Sequence, residues 1–332
     1  MTETDARPAL TDADFLGLVQ EAVDQFGFNR KAEITAFGSL TENPTFRVQE
    51  PGVRDPVAVR VYRPGGRPLE EIDSELTWIS AIRRETDVST PAVVPTLTGA
   101  QYLRVRDDPP TFMAAFELVP GHEADDEDLE RLMPEIGATT ARLHLHTKAW
   151  RPPGSFERPR WDIETTIGST PHWGPWQASV PDASERQQLE RLAQTVRERL
   201  GRFGVGGSRF GLIHADLRVT NLIVDGDSVA VIDFDDCGFS WYLYDLAATL
   251  TFYEAAPNVD DLIASWIESY GRIAPLPTED EQEIPTFLML RRLLLSAYVG
   301  LRADTELAEE LRVTHFSRTS CELAERYLSQ FG

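Results

Sequence analysis

The chain has 332 residues, of which 42% are apolar and 26% are charged, a composition typical of a soluble globular protein with a substantial hydrophobic core. Its 32 basic and 54 acidic residues give a net charge of −22, which disfavours nucleic acid and anionic membranes as partners, because both require basic surface. Two cysteines, in no Cys/His spacing of a zinc site, predict neither a disulfide framework nor a structural metal.

The N-terminal half begins with an acidic segment and continues into a predicted β-rich region. Residues 1–15 lack the hydrophobic core of a signal peptide, and no apolar run reaches the roughly 18 residues of a membrane span, so we expect a cytoplasmic protein. A helix is predicted over residues 11–26, capped by Thr11, and a second over residues 69–84. The candidate strands cover residues 34–40, 45–50, 56–64, 101–106 and 111–119.

The pattern becomes mainly helical after the break at residues 120–122. An irregular insertion at residues 151–180 is rich in Pro, Gly and Trp, and a strand–loop–strand unit is predicted at residues 210–234. The predicted helices lie after Pro134 within residues 132–150, over residues 182–203 and over most of residues 241–329. We therefore predict an α+β chain, with an antiparallel sheet in a domain at residues 1–118 and a larger helical domain at residues 119–332.

The strongest signal is the sequence FGLIHADLRVTNLIV followed by SVAVIDFDD, in which a polar loop lies between apolar strands and the last strand ends in acid. His214, Asp216 and Asn221 follow the pattern H-x-D-x-x-x-x-N, and Asp233 lies twelve residues beyond Asn221. One carboxylate, Asp216, can orient an acceptor hydroxyl and take its proton, while an amide and a second carboxylate supply oxygen ligands suited to Mg²⁺. A capped turn beside an exposed strand end is the alternative, and it explains this combination of residues less well. The segment therefore predicts phosphoryl transfer.

Several segments resemble one family of kinases. They are VRVYRP, IGATTARLHLH, RPRWD, HADLRVTN and IDFDDCGFSWYLYDLA. Together they resemble the aminoglycoside phosphotransferase and choline-kinase-like family, and look most like its RdoA-type stress-response kinases and homoserine-kinase-like members, over about residues 30–310. The resemblance implies an α+β, two-lobed protein-kinase-like fold that uses ATP and Mg²⁺, with the nucleotide between a small N-lobe and a mainly helical C-lobe.

The resemblance also implies roles for residues of the second half. Asp216 matches the catalytic base, and Asn221 and Asp233 match the metal ligands. His214 would brace the loop without reacting. Arg218 stands where protein kinases carry a phosphate-facing lysine.

In the first half, the resemblance implies a nucleotide site with two departures from the family. Arg60 stands where the family usually has a phosphate-pairing lysine, and Glu75 matches the helix glutamate that pairs with it. Glu117 and Val119 would present backbone groups to adenine. Arginine is planar and bulkier than lysine, so the two are not equivalent. The loop around Gly38 has one glycine, so the sequence does not predict a glycine-rich cover for phosphate.

The acceptor is predicted to be a small molecule. From Asp233 to Asp245, which looks like the residue that anchors the loop, there are twelve residues, too few for the activation segment of protein kinases. This spacing favours a compact acceptor such as an amino acid, an amino alcohol or an aminoglycoside. Arg291 and Arg292 lie on a helix that could face that acceptor.

Two alternatives stay open. RdoA-type relatives also lack a usual activation segment, so a Ser/Thr protein kinase fits the same spacing, and transfer to a protein would distinguish it. Arginine at position 60 also leaves room for a nucleotide-binding pseudokinase, which would bind ATP without turnover. The sequence does not separate ATP from GTP, nor does it indicate an oligomeric state.

Overall fold

A computed structural model describes residues 10–37, 43–302, 305–313 and 316–332. The chain forms two compact units. The first falls within Met1–Arg84, Thr90–Pro120 and Gly154–Glu157, and the second within Glu85–Ser89, Gly121–Pro153 and Arg158–Gly332. The chain therefore passes between the units more than once.

The first unit is an antiparallel sheet with two helices. Its elements are α1 (Asp12–Ala22), which continues as a 3₁₀ turn (Val23–Phe26), β1 (Glu33–Ala36), β2 (Thr45–Glu50), β3 (Arg54–Tyr62), α2 (Leu69–Glu85), β4 (Val93–Val94), β5 (Leu103–Asp107) and β6 (Pro110–Glu117). The sheet order is β1-β2-β3-β6-β4, and β5 pairs with β6. The predicted first strand, residues 34–40, extends in fact only to Ala36, and the loop around Gly38 lies outside the described residues.

The start of α1 follows from its sequence. Thr11 Oγ1 accepts a hydrogen bond from the backbone N–H of Asp14, and the Asp14 carboxylate accepts one from the backbone N–H of Thr11. This capping box satisfies two N–H groups that the first turn leaves unpaired. Phe15 and Val19 are fully buried, and they belong to one apolar cluster with residues of the sheet. The helix therefore covers one face of the sheet and leaves its acidic face to solvent.

The second unit is mainly helical. Its elements are β7 (His122–Glu123), α3 (Leu129–Ala149), α4 (Ile163–Thr166), α5 (Ala183–Phe203), β8 (Phe210–Ile213), β9 (Leu222–Asp225), β10 (Ser228–Val231), β11 (Gly238–Trp241), α6 (Leu243–Thr249), α7 (Val259–Gly271), α8 (Thr278–Glu281), α9 (Ile284–Leu301), α10 (Glu306–Val313) and α11 (Phe316–Phe331). The strands form two small antiparallel sheets, β10-β9-β7 and β11-β8.

Two predictions for this unit are corrected by the structure. The helix predicted after Pro134 begins earlier, at Leu129. Burial of Leu132 and Met133 in the turn before the proline offsets the loss of the hydrogen bond that proline cannot donate. The strand–loop–strand unit predicted at residues 210–234 contains three strands, β8, β9 and β10, and β8 does not pair with β9. β8 pairs with β11 instead, and only β9 and β10 form a hairpin.

Helix α3 packs against the backbone of α7 at Gly137. A Cβ atom at this position would lie 2.6 Å from the backbone oxygen of Trp266. We expect Gly137→Ala to lower the free energy of unfolding by about 1–3 kcal/mol, because backbone must move to admit the methyl group. Gly201, on the exposed surface of α5 with nothing within 4 Å of its Cβ position, is the matched control. Gly201→Ala should raise the free energy of unfolding by about 0.5–1 kcal/mol. Urea denaturation of both variants tests this, and equal shifts in the same direction would contradict it.

The segment Thr278–Leu301 has the length and apolar composition of a membrane span, but 78% of its most apolar window is buried inside the protein. Such burial is typical of the core helix of a globular domain. Two arginines, Arg291 and Arg292, lie in the middle of this helix and are themselves buried.

Candidate active site

The loop that follows β8 is held by a carboxylate from α6. Asp245 is fully buried, and it accepts hydrogen bonds from the backbone N–H groups of His214 (3.3 Å) and Ala215 (2.7 Å). Ala215 has a φ of +68°, a conformation that alanine rarely adopts, so the surrounding contacts must impose it. Asp245 therefore occupies the anchoring position that the sequence suggested.

The anchor is itself fixed by a histidine from α3. His144 Nε2 donates to Asp245 Oδ2 at 2.9 Å, and His144 Nδ1 lies 3.0 Å from the hydroxyl of Tyr270 on α7. Burial lowers the pKa of His144, although Asp245 opposes this, so the ring is neutral and its Nδ1 accepts from Tyr270. Side chains from three helices thus determine the position of one loop. Local sequence patterns do not predict this contact, because His144 and Asp245 are 101 residues apart.

His214 connects the two ends of the predicted motif. Its Nδ1 accepts from the backbone N–H of Asp216 at 3.3 Å, and its Nε2 donates to the backbone oxygen of Ile232 at 3.1 Å. The backbone N–H of Ile232 in turn donates to the backbone oxygen of Asn221 at 3.0 Å. These bonds link the loop, Asn221 and the strand end before Asp233, and the His214 side chain that makes two of them is fully buried.

Asp216 lies among three donors. Its Oδ1 accepts from Arg291 Nη2 at 2.6 Å, and its Oδ2 accepts from Asn221 Nδ2 at 3.1 Å and Arg218 Nε at 3.3 Å. Burial raises the pKa of Asp216, but the charges of Arg218 and Arg291 outweigh it and hold the pKa below its ordinary value. The predicted base is therefore ionised and fixed in one orientation.

The residues predicted to bind metal supply oxygen atoms. Asn221 Nδ2 donates to Asp216, to its backbone oxygen at 2.8 Å as well as to Oδ2, which leaves Asn221 Oδ1 as the atom for a cation. Asp233 lies two residues beyond the end of β10 and has a φ of +61°, a left-handed conformation that aspartate adopts more readily than most other residues. Within the described ranges, no three His, Cys, Asp or Glu side chains form a metal-binding group. An amide and one carboxylate fit Mg²⁺, which keeps several waters and shares its ligands with phosphate.

The segment after Asp233 is clamped by two residues of the RPRWD motif. Arg158 is buried and donates to the backbone oxygens of Cys237 (Nε, 2.6 Å) and Asp235. Trp161 Nε1 donates to the backbone oxygen of Asp236 at 2.9 Å. Both residues lie in the stretch predicted as an irregular insertion, for which the sequence indicates no role in the site. The signal for such a role is an arginine three residues before a tryptophan in a proline-rich stretch. Each of these side chains needs a hydrogen-bond partner when it is buried.

In the first unit, β3 and α2 bring the predicted nucleotide residues into contact. Arg60 Nη1 lies 3.2 Å from Glu75 Oε1, and Glu75 is almost fully buried. Glu117 ends β6, and its backbone N–H donates to the oxygen of Ala92 at 2.8 Å. Its carbonyl and the backbone of the half-buried Val119 are therefore the groups that could meet adenine.

Comparison with known proteins identifies the family. A model described as "Phosphotransferase enzyme family" matches residues 33–280 of the chain. The chain belongs to this family. Amicoumacin kinase of Bacillus subtilis (strain 168) is 23% identical over 291 residues, which cover 84% of this phosphotransferase and 82% of the relative.

Solved structures of kinases are similar over nearly the whole length. A microcompartment-associated aminopropanol kinase matches with a TM-score of 0.87 and 36% identity, covering 96% of this chain and 98% of the other. Amicoumacin kinase hAmiN, in complex with AMP-PNP, Ca²⁺ and Ami, matches with a TM-score of 0.76 and 19% identity, covering 93% of each chain.

These similarities confirm the predicted α+β, two-lobed protein-kinase-like fold and the predicted activity. The phosphotransferase is an ATP-dependent kinase that phosphorylates a hydroxyl group of a small molecule. The roles of individual residues within the site stay predictions.

Proposed function

We propose that the protein transfers the γ-phosphate of ATP, as its Mg²⁺ complex, to the hydroxyl of a small amino alcohol such as 1-amino-2-propanol. The observation that carries the proposal is the likeness to aminopropanol kinase, at 36% identity over 96% of the chain. The net charge of −22 supports it, because an acidic protein attracts a cationic acceptor. Asp235 and Asp236, two and three residues beyond the proposed metal ligand Asp233, add carboxylates to the same loop.

In this proposal the second unit carries the chemistry. Asp216 orients the acceptor hydroxyl toward the γ-phosphorus and takes its proton as the O–P bond forms. Asn221 Oδ1 and the Asp233 carboxylate hold Mg²⁺, which neutralises charge on the phosphates when bound. Arg218 contacts the transferred phosphate in this proposal, which its position beside Asp216 and its exposure of about one-third support. His214 keeps the loop and the strand end in register.

The first unit binds the nucleotide. Arg60 contacts its phosphates, and Glu75 fixes the direction of the guanidinium through the 3.2 Å ion pair. A guanidinium presents a planar fork, so we expect it to bind two phosphate oxygens where lysine would bind as a point charge. The carbonyl of Glu117 and the backbone of Val119 contact adenine.

A panel of acceptors tests the proposed substrate class. ADP release is measured with Mg²⁺-ATP and, in parallel, (R)- and (S)-1-amino-2-propanol, 2-propanol, ethanolamine, choline, homoserine, an aminoglycoside, amicoumacin and a generic protein. We expect kcat/KM for one aminopropanol enantiomer to exceed that for 2-propanol, which lacks the ammonium group, by at least about a hundredfold. A site that pairs a carboxylate with the ammonium group of its acceptor leaves that carboxylate unpaired when 2-propanol binds. Higher kcat/KM for the aminoglycoside or for amicoumacin, or phosphorylation of the protein alone, would contradict the amino alcohol assignment.

A further inference from the structure

Arg291 is a buried arginine with three partners from three parts of the second unit. From its position on α9, Nη2 donates to Asp216 Oδ1 at 2.6 Å, Nη1 to the hydroxyl of Tyr244 at 3.1 Å and Nε to Thr251 Oγ1 at 3.0 Å. Its side chain is 4% exposed. Because a guanidinium is planar, contacts on three of its nitrogens fix its plane as well as its position.

The next residue on the same helix shows what a buried arginine does away from the reacting groups. Arg292 pairs with the buried carboxylate of Glu254 at 3.0 Å and donates to Ser320 Oγ at 2.9 Å. Both arginines are buried, each pairs with one carboxylate, and each loses hydration on burial. Arg291 donates to two hydroxyl groups and Arg292 to one. They differ in the carboxylate, since only Arg291 contacts the predicted base.

We propose that Arg291 is a positioning residue for phosphoryl transfer, which fixes the orientation of Asp216 so that one carboxylate oxygen faces the acceptor hydroxyl. This inference rests on the proposed role of Asp216. Asp216 lies on a loop whose backbone is anchored by Asp245, but the backbone bonds do not determine the rotation of the carboxylate. Arg291 on Oδ1 and Asn221 on Oδ2 set that rotation from opposite sides. Tyr244 and Thr251 set the direction of Arg291 in turn.

The inference predicts that geometry, and not charge alone, matters at position 291. Lysine keeps a positive charge but cannot donate in one plane to Asp216, Tyr244 and Thr251. We therefore expect Arg291→Lys to lower kcat about tenfold and Arg291→Gln about a hundredfold, because small displacements of a reacting group have effects of this size. KM for ATP should change less than about twofold in both variants, since Arg291 contacts none of the residues predicted to bind the nucleotide. Added guanidinium ion should restore part of the kcat of a third variant, Arg291→Ala.

Arg292→Gln and Arg292→Ala are the matched controls. Each variant leaves a buried carboxylate without its cation, so we expect a loss of stability similar to that of the Arg291 variants. Assays are run below the unfolding midpoint of every variant, and kcat is normalised to the folded fraction measured by circular dichroism. The Arg292 variants should keep wild-type kcat and show no rescue by guanidinium. Tyr244→Phe and Thr251→Val, which keep Arg291 and remove one of its orienting hydroxyls, should lower kcat several-fold and provide the test if the position 291 variants do not fold.

Asp216→Asn separates this inference from the proposed function. If Asp216→Asn retains wild-type turnover, the proposed role of Asp216 fails and the inference fails with it. If Asp216→Asn is inactive but the Arg291 variants match the Arg292 variants in normalised kcat, only the inference is overturned. In the expected case Arg291→Gln adds little to the defect of Asp216→Asn, because both changes disturb one unit.

Discussion

Replacement of Asp216 should reduce phosphoryl transfer by about 10²–10⁴-fold and leave ATP affinity nearly unchanged, because the carboxylate acts on the acceptor hydroxyl and binds no phosphate. Asp216→Ala removes the carboxylate completely, but it also leaves the buried Arg291 without its partner. We expect this to cost about 3–5 kcal/mol of stability. Asp216→Asn keeps an oxygen for Arg291 and nearly the same shape, so it is the cleaner variant. ADP release gives kcat, calorimetry gives ATP affinity and thermal melts give the folded fraction.

The control for Asp216 lies in the same hairpin region. Asp227 is an exposed carboxylate in the turn between β9 and β10. Asp227→Asn changes the net charge of the protein by the same amount as Asp216→Asn. We expect wild-type turnover from it. If both aspartate variants had equal turnover after correction for folding, Asp216 would not be the base, and the mechanism would need another group to receive the proton.

Local patterns predicted most of the elements because their determinants are close in sequence. The α1 cap needs only Thr11 and Asp14, three residues apart, and the apolar periods of α2 and α5 place those helices within one or two residues. The motif at His214, Asp216 and Asn221 was readable for the same reason, since one short loop carries all three. The connection of this motif to the strand end at Asp233 also follows from local sequence, since the β9–β10 hairpin lies between Asn221 and Asp233.

The contacts that complete the site join distant parts of the chain, and periodicity does not encode them. Arg291 is 75 residues from Asp216, and Arg158 is 79 residues from Cys237, whose backbone oxygen it binds. One signal was nevertheless present. α9 is apolar almost throughout, and two adjacent arginines in its middle must be buried with partners, because a charged side chain is almost never buried alone. That reasoning identifies both arginines as paired, although it does not show which one reaches Asp216.

Replacement of Asp233 should remove metal-dependent nucleotide binding as well as turnover. Asp233 supplies the one carboxylate of the proposed Mg²⁺ site, so its loss leaves Asn221 as the remaining ligand from the chain. The φ of +61° determines the choice of variant. Asparagine tolerates this conformation better than alanine, so Asp233→Asn removes the charge with little added strain. We expect Asp233→Asn to weaken the binding of AMP-PNP in Mg²⁺ by at least about tenfold, since even residues behind a metal ligand have effects of this size.

The comparison with and without metal makes the Asp233 result specific. In EDTA, wild type and Asp233→Asn should bind the nucleotide equally, because the remaining contacts come from Arg60 and the backbone near Glu117 and Val119. Asp225→Asn, at the exposed end of β9, removes a nearby carboxylate and should keep the wild-type response to Mg²⁺. A difference between Asp233→Asn and wild type that persists in EDTA would mean that Asp233 acts on the fold of the loop. Loss of Mg²⁺-dependent binding, with the difference abolished in EDTA, is the expected result and would show that the carboxylate of Asp233 acts on the nucleotide through the metal ion.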